Sequence, residues 1–99
     1  MSKDQTTATG LPAYITEGDD GSLAVDLVRG LEISGAKVTK LKFREPTLDD
    51  QLVSQKVGEN ADAEVALLAN LAEISPDDLR AIKMRDYARL QVALNFFYG

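Results

Sequence analysis

Apolar residues alternate with polar ones in the first half of this chain and recur at helical spacing in the second half. The alternation runs from Leu23 to Phe43 and is interrupted by Ser34-Gly35, a pair typical of a tight turn. It predicts a β-hairpin or a small antiparallel meander over residues 23–44. After Pro46 the apolar spacing changes from two to about 3.6 residues, which indicates helix. We therefore predict an α+β fold, with residues 47–99 helical.

About four helices are expected after the sheet, and their predicted spans are 47–57, about 60 or 62 to 73, about 76–81, and 84 to nearly 99. In the first helix, Leu48, Leu52, Val53 and Lys56 fall on one side. The second helix is rich in alanine and leucine, which indicates the central position. Ser75-Pro76 gives the clearest helix start, because serine caps a helix well and proline suits its first position.

Residues 1–22 are predicted to be a flexible polar leader. Most of the segment is Ser, Thr, Asp and Gly, so ordering it would cost backbone entropy with little burial in return. The apolar stretch from Leu11 to Ile15 is the exception. Residues 23–99 are then expected to form a single domain.

Composition limits the classes of function. A chain of 99 residues with 44% hydrophobic content suits one small domain. Its net charge of -5 disfavours a nucleic-acid partner, and no apolar run is long enough to cross a membrane. The chain has neither cysteine nor histidine, so it lacks thiolate chemistry and the commonest general base.

Two acidic pairs, Asp49-Asp50 and Asp77-Asp78, are candidates for a metal site. Carboxylates bind Mg²⁺ or Ca²⁺, but each pair directly follows a helix-capping residue. Acids in that position complement the helix dipole, which is the interpretation we favour. We therefore predict no catalytic residue, no metal site, no cofactor site and no enzymatic activity.

The carboxyl-terminal end is unusual in carrying three consecutive aromatic residues, Phe96, Phe97 and Tyr98. A helix cannot turn three successive side chains toward one core. Either the last turn lies between other elements, or one of its faces meets a partner.

The order of four short segments resembles the tail assembly chaperone family of Mu-like and P2-like contractile-tailed bacteriophages. The resemblance covers about residues 23–99. The first two segments are Val38-Thr39-Lys40-Leu41-Lys42-Phe43-Arg44-Glu45-Pro46-Thr47 and the alanine-rich helix that follows it. The other two are Ile74-Ser75-Pro76-Asp77-Asp78-Leu79 and Met84-Arg85-Asp86-Tyr87-Ala88-Arg89-Leu90. This resemblance implies a non-enzymatic chaperone that binds the tape measure protein and keeps it soluble. It also implies recruitment of tail tube subunits through a longer, frameshifted form. The expected location is the host bacterial cytoplasm and not the mature virion.

The hypothesis that follows places a partner-binding groove between the last helix and the alanine-rich helix. A tape measure protein is long and largely helical, so its apolar stripe needs cover until the tube encloses it. Four residues are expected near the groove and two at its rim: Tyr87, Leu90, Leu94 and Phe97, with Phe96 and Tyr98 as rim anchors.

Other classes of function stay open at this point. A small homo-oligomeric adaptor or regulator would use the same aromatic end to pair with itself. A metal-dependent enzyme would use the aspartate pairs. A nucleic-acid binder would use the basic strand face formed by Lys37, Lys40, Lys42 and Arg44.

Overall fold

The computed structural model describes residues 10–98, which form a three-stranded antiparallel sheet followed by four helices. The α+β class and the number of helices agree with the prediction. The strands are β1 (Ile15–Glu17), β2 (Leu23–Ile33) and β3 (Ala36–Phe43), in the spatial order β1-β2-β3. The helices are α1 (Leu48–Val57), α2 (Ala61–Ala72), α3 (Pro76–Leu79) and α4 (Met84–Phe97).

The sheet begins earlier than the sequence pattern predicts. Strand β1 lies inside the segment assigned to the leader, and Ile15 pairs with Val25 of β2. The predicted start of the strands at Leu23 is therefore wrong. The physical reason is burial, because Leu11 and Ile15 are only 5% and 1% exposed and join the core. Residues 1–9 of the predicted leader lie outside the described residues.

Strands β2 and β3 form the predicted hairpin around Ser34-Gly35. Both turn residues have positive φ, at 53° and 84°, and Ile33 pairs with Ala36 across the turn. Two consecutive positive φ angles match the right-handed twist of the strands in a two-residue hairpin loop. Glycine adopts this conformation without strain, which explains its place at the second position.

A wide bulge interrupts the middle of the hairpin. Asp26 pairs with Lys40 and Leu31 with Val38, so residues 27–30 of β2 lie opposite a single residue of β3. The bulge turns three backbone N–H groups away from the β3 ladder. Asp86 of α4, which is fully buried, accepts hydrogen bonds from all three, at 2.6, 2.8 and 3.1 Å. This buried carboxylate therefore satisfies three backbone donors and ties α4 to the sheet.

The starts of α1 and α3 follow from the local sequence. Thr47 accepts a hydrogen bond from the Asp50 backbone N–H, and the Asp50 side chain accepts one from the Thr47 backbone N–H. This reciprocal arrangement is a capping box with aspartate at the third helical position. Ser75 caps α3 through the Asp77 N–H, and Pro76 occupies the first turn.

One hydrophobic core lies between the sheet and helices α2, α3 and α4. Strand residues such as Val25 and Phe43, both 0% exposed, face Leu68 of α2 and Leu90 of α4. Among the described residues, α1 contributes no buried apolar side chain to this core. The core residues are Leu11, Ile15, Leu23, Val25, Leu27, Leu31, Leu41, Phe43, Leu67, Leu68, Ala69, Leu71, Leu79, Leu90, Ala93 and Leu94.

Candidate partner-binding surface

Helix α1 packs on the molecule through its polar side. Asp50 and Ser54 are buried, whereas Leu48 and Leu52 are 75% and 49% exposed. The three apolar residues predicted to share one side of this helix with Lys56, namely Leu48, Leu52 and Val53, therefore face outward and do not cover the sheet. This arrangement reverses the usual amphipathic packing and leaves an apolar helix face on the surface.

The orientation of α1 is set by the carboxylate of Asp50. Arg44 donates two hydrogen bonds to it, at 2.7 and 2.8 Å, and the Thr47 backbone N–H donates a third at 2.9 Å. Asn70 of α2 adds a contact of 3.2 Å. The Arg44 hydrogen bonds, followed by those from Thr47, hold the pKa of the Asp50 carboxyl well below its usual range. The charged form of Asp50 thus fastens α1 to β3 and α2 with its polar side inward.

A cleft opens between α1, α2 and the end of α4. It has a volume of about 210 Å³, and its floor includes the buried side chains of Leu67 and Leu94. Tyr98 reaches across one end and donates its hydroxyl to Gln51 Oε1 at 2.5 Å. The cleft therefore has an apolar floor, a polar rim and an aromatic side chain at its mouth. Its lining residues are Gln51, Ser54, Gln55, Asn60, Ala63, Glu64, Leu67, Leu94 and Tyr98.

Tyr87 is linked to this cleft through Glu64. The Tyr87 hydroxyl donates to Glu64 Oε1, and the Gln91 side-chain amide donates to the same oxygen at 3.0 Å. Burial, reinforced by the hydrogen bond and the negative charge of Glu64, raises the pKa of the Tyr87 hydroxyl far above its usual range. Tyr87 therefore stays protonated and positions Glu64 on the wall of the cleft.

A second cleft lies on the other side of the carboxyl-terminal end. It has a volume of about 170 Å³ and is lined by Phe96 and Phe97 of α4, by Leu23 at the start of β2, by Glu45 after β3, and by Leu11, Glu17 and Gly21. Residues two apart on a helix are separated by about 200° around its axis. Phe96 and Tyr98 consequently lie at the mouths of different clefts.

The six residues proposed for partner binding therefore do not form one continuous groove. Leu94 and Tyr98 meet in the first cleft, and Phe96 and Phe97 meet in the second. Leu90 is 0% exposed and lies inside the core, while Tyr87 contacts the first cleft only through Glu64. Phe96 and Tyr98, at 40% and 58% exposed, are the accessible members of the set.

Sequence reasoning missed the wall of the first cleft that α1 supplies. Gln51, Ser54 and Gln55 are polar residues that the pattern assigns to a solvated face. No local signal in the sequence shows that the polar side of α1 turns inward. That orientation depends on the contact between Arg44 and Asp50, which joins two different elements.

The acidic pairs that suggested a metal site are engaged in other contacts or lie apart. Within residues 10–98, no group of three or more acidic side chains is arranged to hold a metal ion. Asp50 instead binds Arg44 and Thr47, and Asp77 lies at the exposed start of α3. None of the helices that the structure describes is both long enough and apolar enough to cross a membrane.

Comparison with known proteins identifies the family of this chain. The sequence profile described as "Phage tail assembly chaperone proteins, E, or 41 or 14" matches residues 24–99. The chain belongs to the phage tail assembly chaperone family. No curated protein and no solved structure matched it.

Membership in this family indicates a non-enzymatic chaperone role in tail assembly, with protein partners. The profile begins at Ala24, within β2, and includes the whole of the helical part. It therefore covers α1, α2 and α4, the three elements that form the first cleft.

Proposed function

We propose that this tail assembly chaperone binds the tape measure protein and keeps it soluble until the tail tube encloses it. A longer form, produced by a ribosomal frameshift, would recruit tail tube subunits through an additional domain. Both steps would take place in the cytoplasm of the host bacterium, with the chaperone released before the virion is complete.

The observation that carries the proposal is the exposure of two aromatic side chains, one at the mouth of each cleft. Phe96 and Tyr98 are 40% and 58% exposed, although aromatic residues are ordinarily among the more buried. Aromatic residues of this kind are the commonest anchors in protein interfaces. A partner that covers both of them buries apolar surface that the described chain leaves in water.

The size of the first cleft defines the kind of partner segment that fits. A volume of about 210 Å³ accepts one or two side chains, not a whole helix. A helix of the tape measure protein would lie across the rim and insert its apolar residues at helical spacing, while Tyr98 packs against its side. Glu64 on the wall, in a chain of net charge -5, favours a partner segment with a basic residue next to the inserted side chain.

Co-expression with the tape measure protein encoded nearby, followed by affinity capture and light scattering, tests the proposal. We expect a soluble complex of fixed stoichiometry under conditions in which the tape measure protein alone aggregates. Aggregation that persists in the presence of the chaperone would contradict the proposal for the short form. Repeating the capture with the frameshifted form, and with tail tube subunits added, tests the recruitment step separately.

A further inference from the structure

The exposed side of α1 carries an ordered pattern of apolar and charged residues. Four apolar side chains are exposed, at 75%, 49%, 45% and 67%: Leu48, Leu52, Val53 and Val57. Asp49 and Lys56 are exposed on the same side. At about 100° per residue, these six positions occupy about half of the helix circumference. The buried Asp50 and Ser54 occupy the other half.

These positions are symmetric about the midpoint of the helix. Leu52 and Val53 flank the midpoint, Asp49 and Lys56 lie equally far from it, and Leu48 and Val57 occupy the two ends. Reversing the direction of the helix therefore exchanges apolar for apolar residues and exchanges the acid for the base. Such a face is complementary to an antiparallel copy of itself.

We propose that α1 is a self-association surface that pairs antiparallel with α1 of a second copy across a two-fold axis. Leu52 and Val53 would meet their own counterparts at the axis, and Asp49 would lie opposite Lys56 of the second copy. A parallel arrangement would instead place each charge against its like, which is unfavourable. Among residues 10–98, the four ion pairs of the chain use neither Asp49 nor Lys56.

The small size of α1 determines the strength of the pairing. Ten residues make a helix about 15 Å long, so the interface is smaller than the roughly 800 Å² per partner of a standard stable complex. We therefore expect a dimer that forms and dissociates as the protein concentration changes. The first cleft lies against the opposite side of α1, and no residue of α1 lines the second, so pairing leaves Tyr98 and Phe96 accessible to a different partner.

Sedimentation equilibrium of the full chain over a range of concentrations up to about 1 mM tests this proposal, since weak interfaces dissociate at lower concentrations. The average mass should rise from 10.7 kDa toward twice that value. Asp49→Lys or Lys56→Asp alone should weaken the dimer at least tenfold. An equimolar mixture of these two variants should restore it, because each copy then supplies the charges that the other lacks.

Two further variants keep the test independent of helix stability, which the charge reversals also affect. Leu52→Gln removes an apolar contact at the axis without altering a helix end, and it should abolish the dimer. Met84→Gln changes an apolar residue outside α1 that is more exposed than Leu52 and should leave the dimer intact. A wild-type protein that stays monomeric at 1 mM, or charge variants whose mixture fails to associate, would overturn the proposal. Loss of tape measure capture by Leu52→Gln in a monomeric wild type would assign this face to that partner instead.

Discussion

Arg44, which follows β3, donates two hydrogen bonds of 2.7 and 2.8 Å to Asp50 in the first turn of α1. Its guanidinium thereby joins the sheet to the helix across a six-residue span. The same carboxylate completes the capping box with Thr47 and receives the side-chain amide of Asn70 from α2. One charged group therefore sets both the start of α1 and the side of α1 that faces the molecule.

Acid should destabilise the fold through Asp50. The folded state holds its pKa below the ordinary value of 3.8, so the unfolded chain takes up this proton first as the pH falls. The stabilising contribution is complete above pH 3.8, declines below it, and disappears once the pH passes the folded-state pKa. Chemical unfolding measured between pH 7 and pH 2 should show this decline.

The variant Asp50→Asn should isolate that contribution. It removes the charge that Arg44 binds, so we expect the free energy of unfolding to fall by about 2 kcal/mol at pH 7. The acid limb of the curve, in which the free energy of unfolding declines as the pH falls, should also become flatter. Asp49→Asn, which changes the exposed neighbour in the same turn, is the matched control and should keep the acid limb of the wild type. An unchanged acid limb in Asp50→Asn would assign the pH dependence to other carboxyl groups.

Replacing Asp86 should destabilise the protein more than replacing any exposed acid. Its buried carboxylate accepts the backbone N–H groups of Val28, Arg29 and Gly30, and Asp86→Ala would leave all three without their partner. We expect Asp86→Ala to lower the free energy of unfolding, measured in urea, by about 3 kcal/mol. Asp77→Ala at the exposed start of α3 should cost less than about 1 kcal/mol.

An equal loss in these two variants would show that the bulge finds other partners, such as water. Asp86→Asn is the sharper variant of the pair. It keeps the volume of the side chain but turns one acceptor into a donor that faces backbone N–H groups, so it should approach the alanine variant in stability.

The sequence predicted most of the elements because their signals are local. The turn at Ser34-Gly35, the cap at Ser75 and the helical spacing after Pro46 each depend on neighbouring residues, and each has its counterpart in the structure. Strand β1 lacked such a signal. Three residues are too few to show an alternating pattern, and only Ile15 among them is apolar.

The candidate surface was less predictable because it depends on contacts between distant residues. The inward turn of the polar side of α1 requires Arg44 and Asn70, and the burial of Asp86 requires a bulge far earlier in the chain. The sequence-based hypothesis assigned Leu90 to the groove and Tyr98 to its rim. It did not distinguish the core residue from the exposed one, since that difference comes from what packs against each.

Two glycines with the same backbone conformation should respond differently to alanine. Gly30 and Gly35 have φ of 82° and 84°, so a side chain is strained at both. At Gly30 the added methyl would also lie 3.1 Å from the backbone oxygen of Val38, whereas nothing lies within 4 Å at Gly35. We expect Gly30→Ala to cost about 2 kcal/mol or more and Gly35→Ala about 1 kcal/mol. Thermal melts of both variants provide the comparison, and equal costs would show that the bulge adapts.

Substitution of the two accessible aromatic residues should weaken partner capture without unfolding the protein. Phe96→Ser together with Tyr98→Ser should weaken capture of the tape measure protein at least tenfold, because both exposed anchors are lost. Stability should change by no more than about 1 kcal/mol, since neither side chain is buried. Met84→Ser, at a position 73% exposed on the first turn of α4, is the control and should bind as the wild type does.

Leu90 provides the opposite case. It was proposed for the same surface but is 0% exposed, so Leu90→Ala should cost about 2–5 kcal/mol and reduce capture only by unfolding the chaperone. Capture titrations paired with urea melts on the same samples distinguish these effects. If the double aromatic variant retains wild-type capture while folded, the tape measure protein binds elsewhere, and the outward face of α1 becomes the next surface to test.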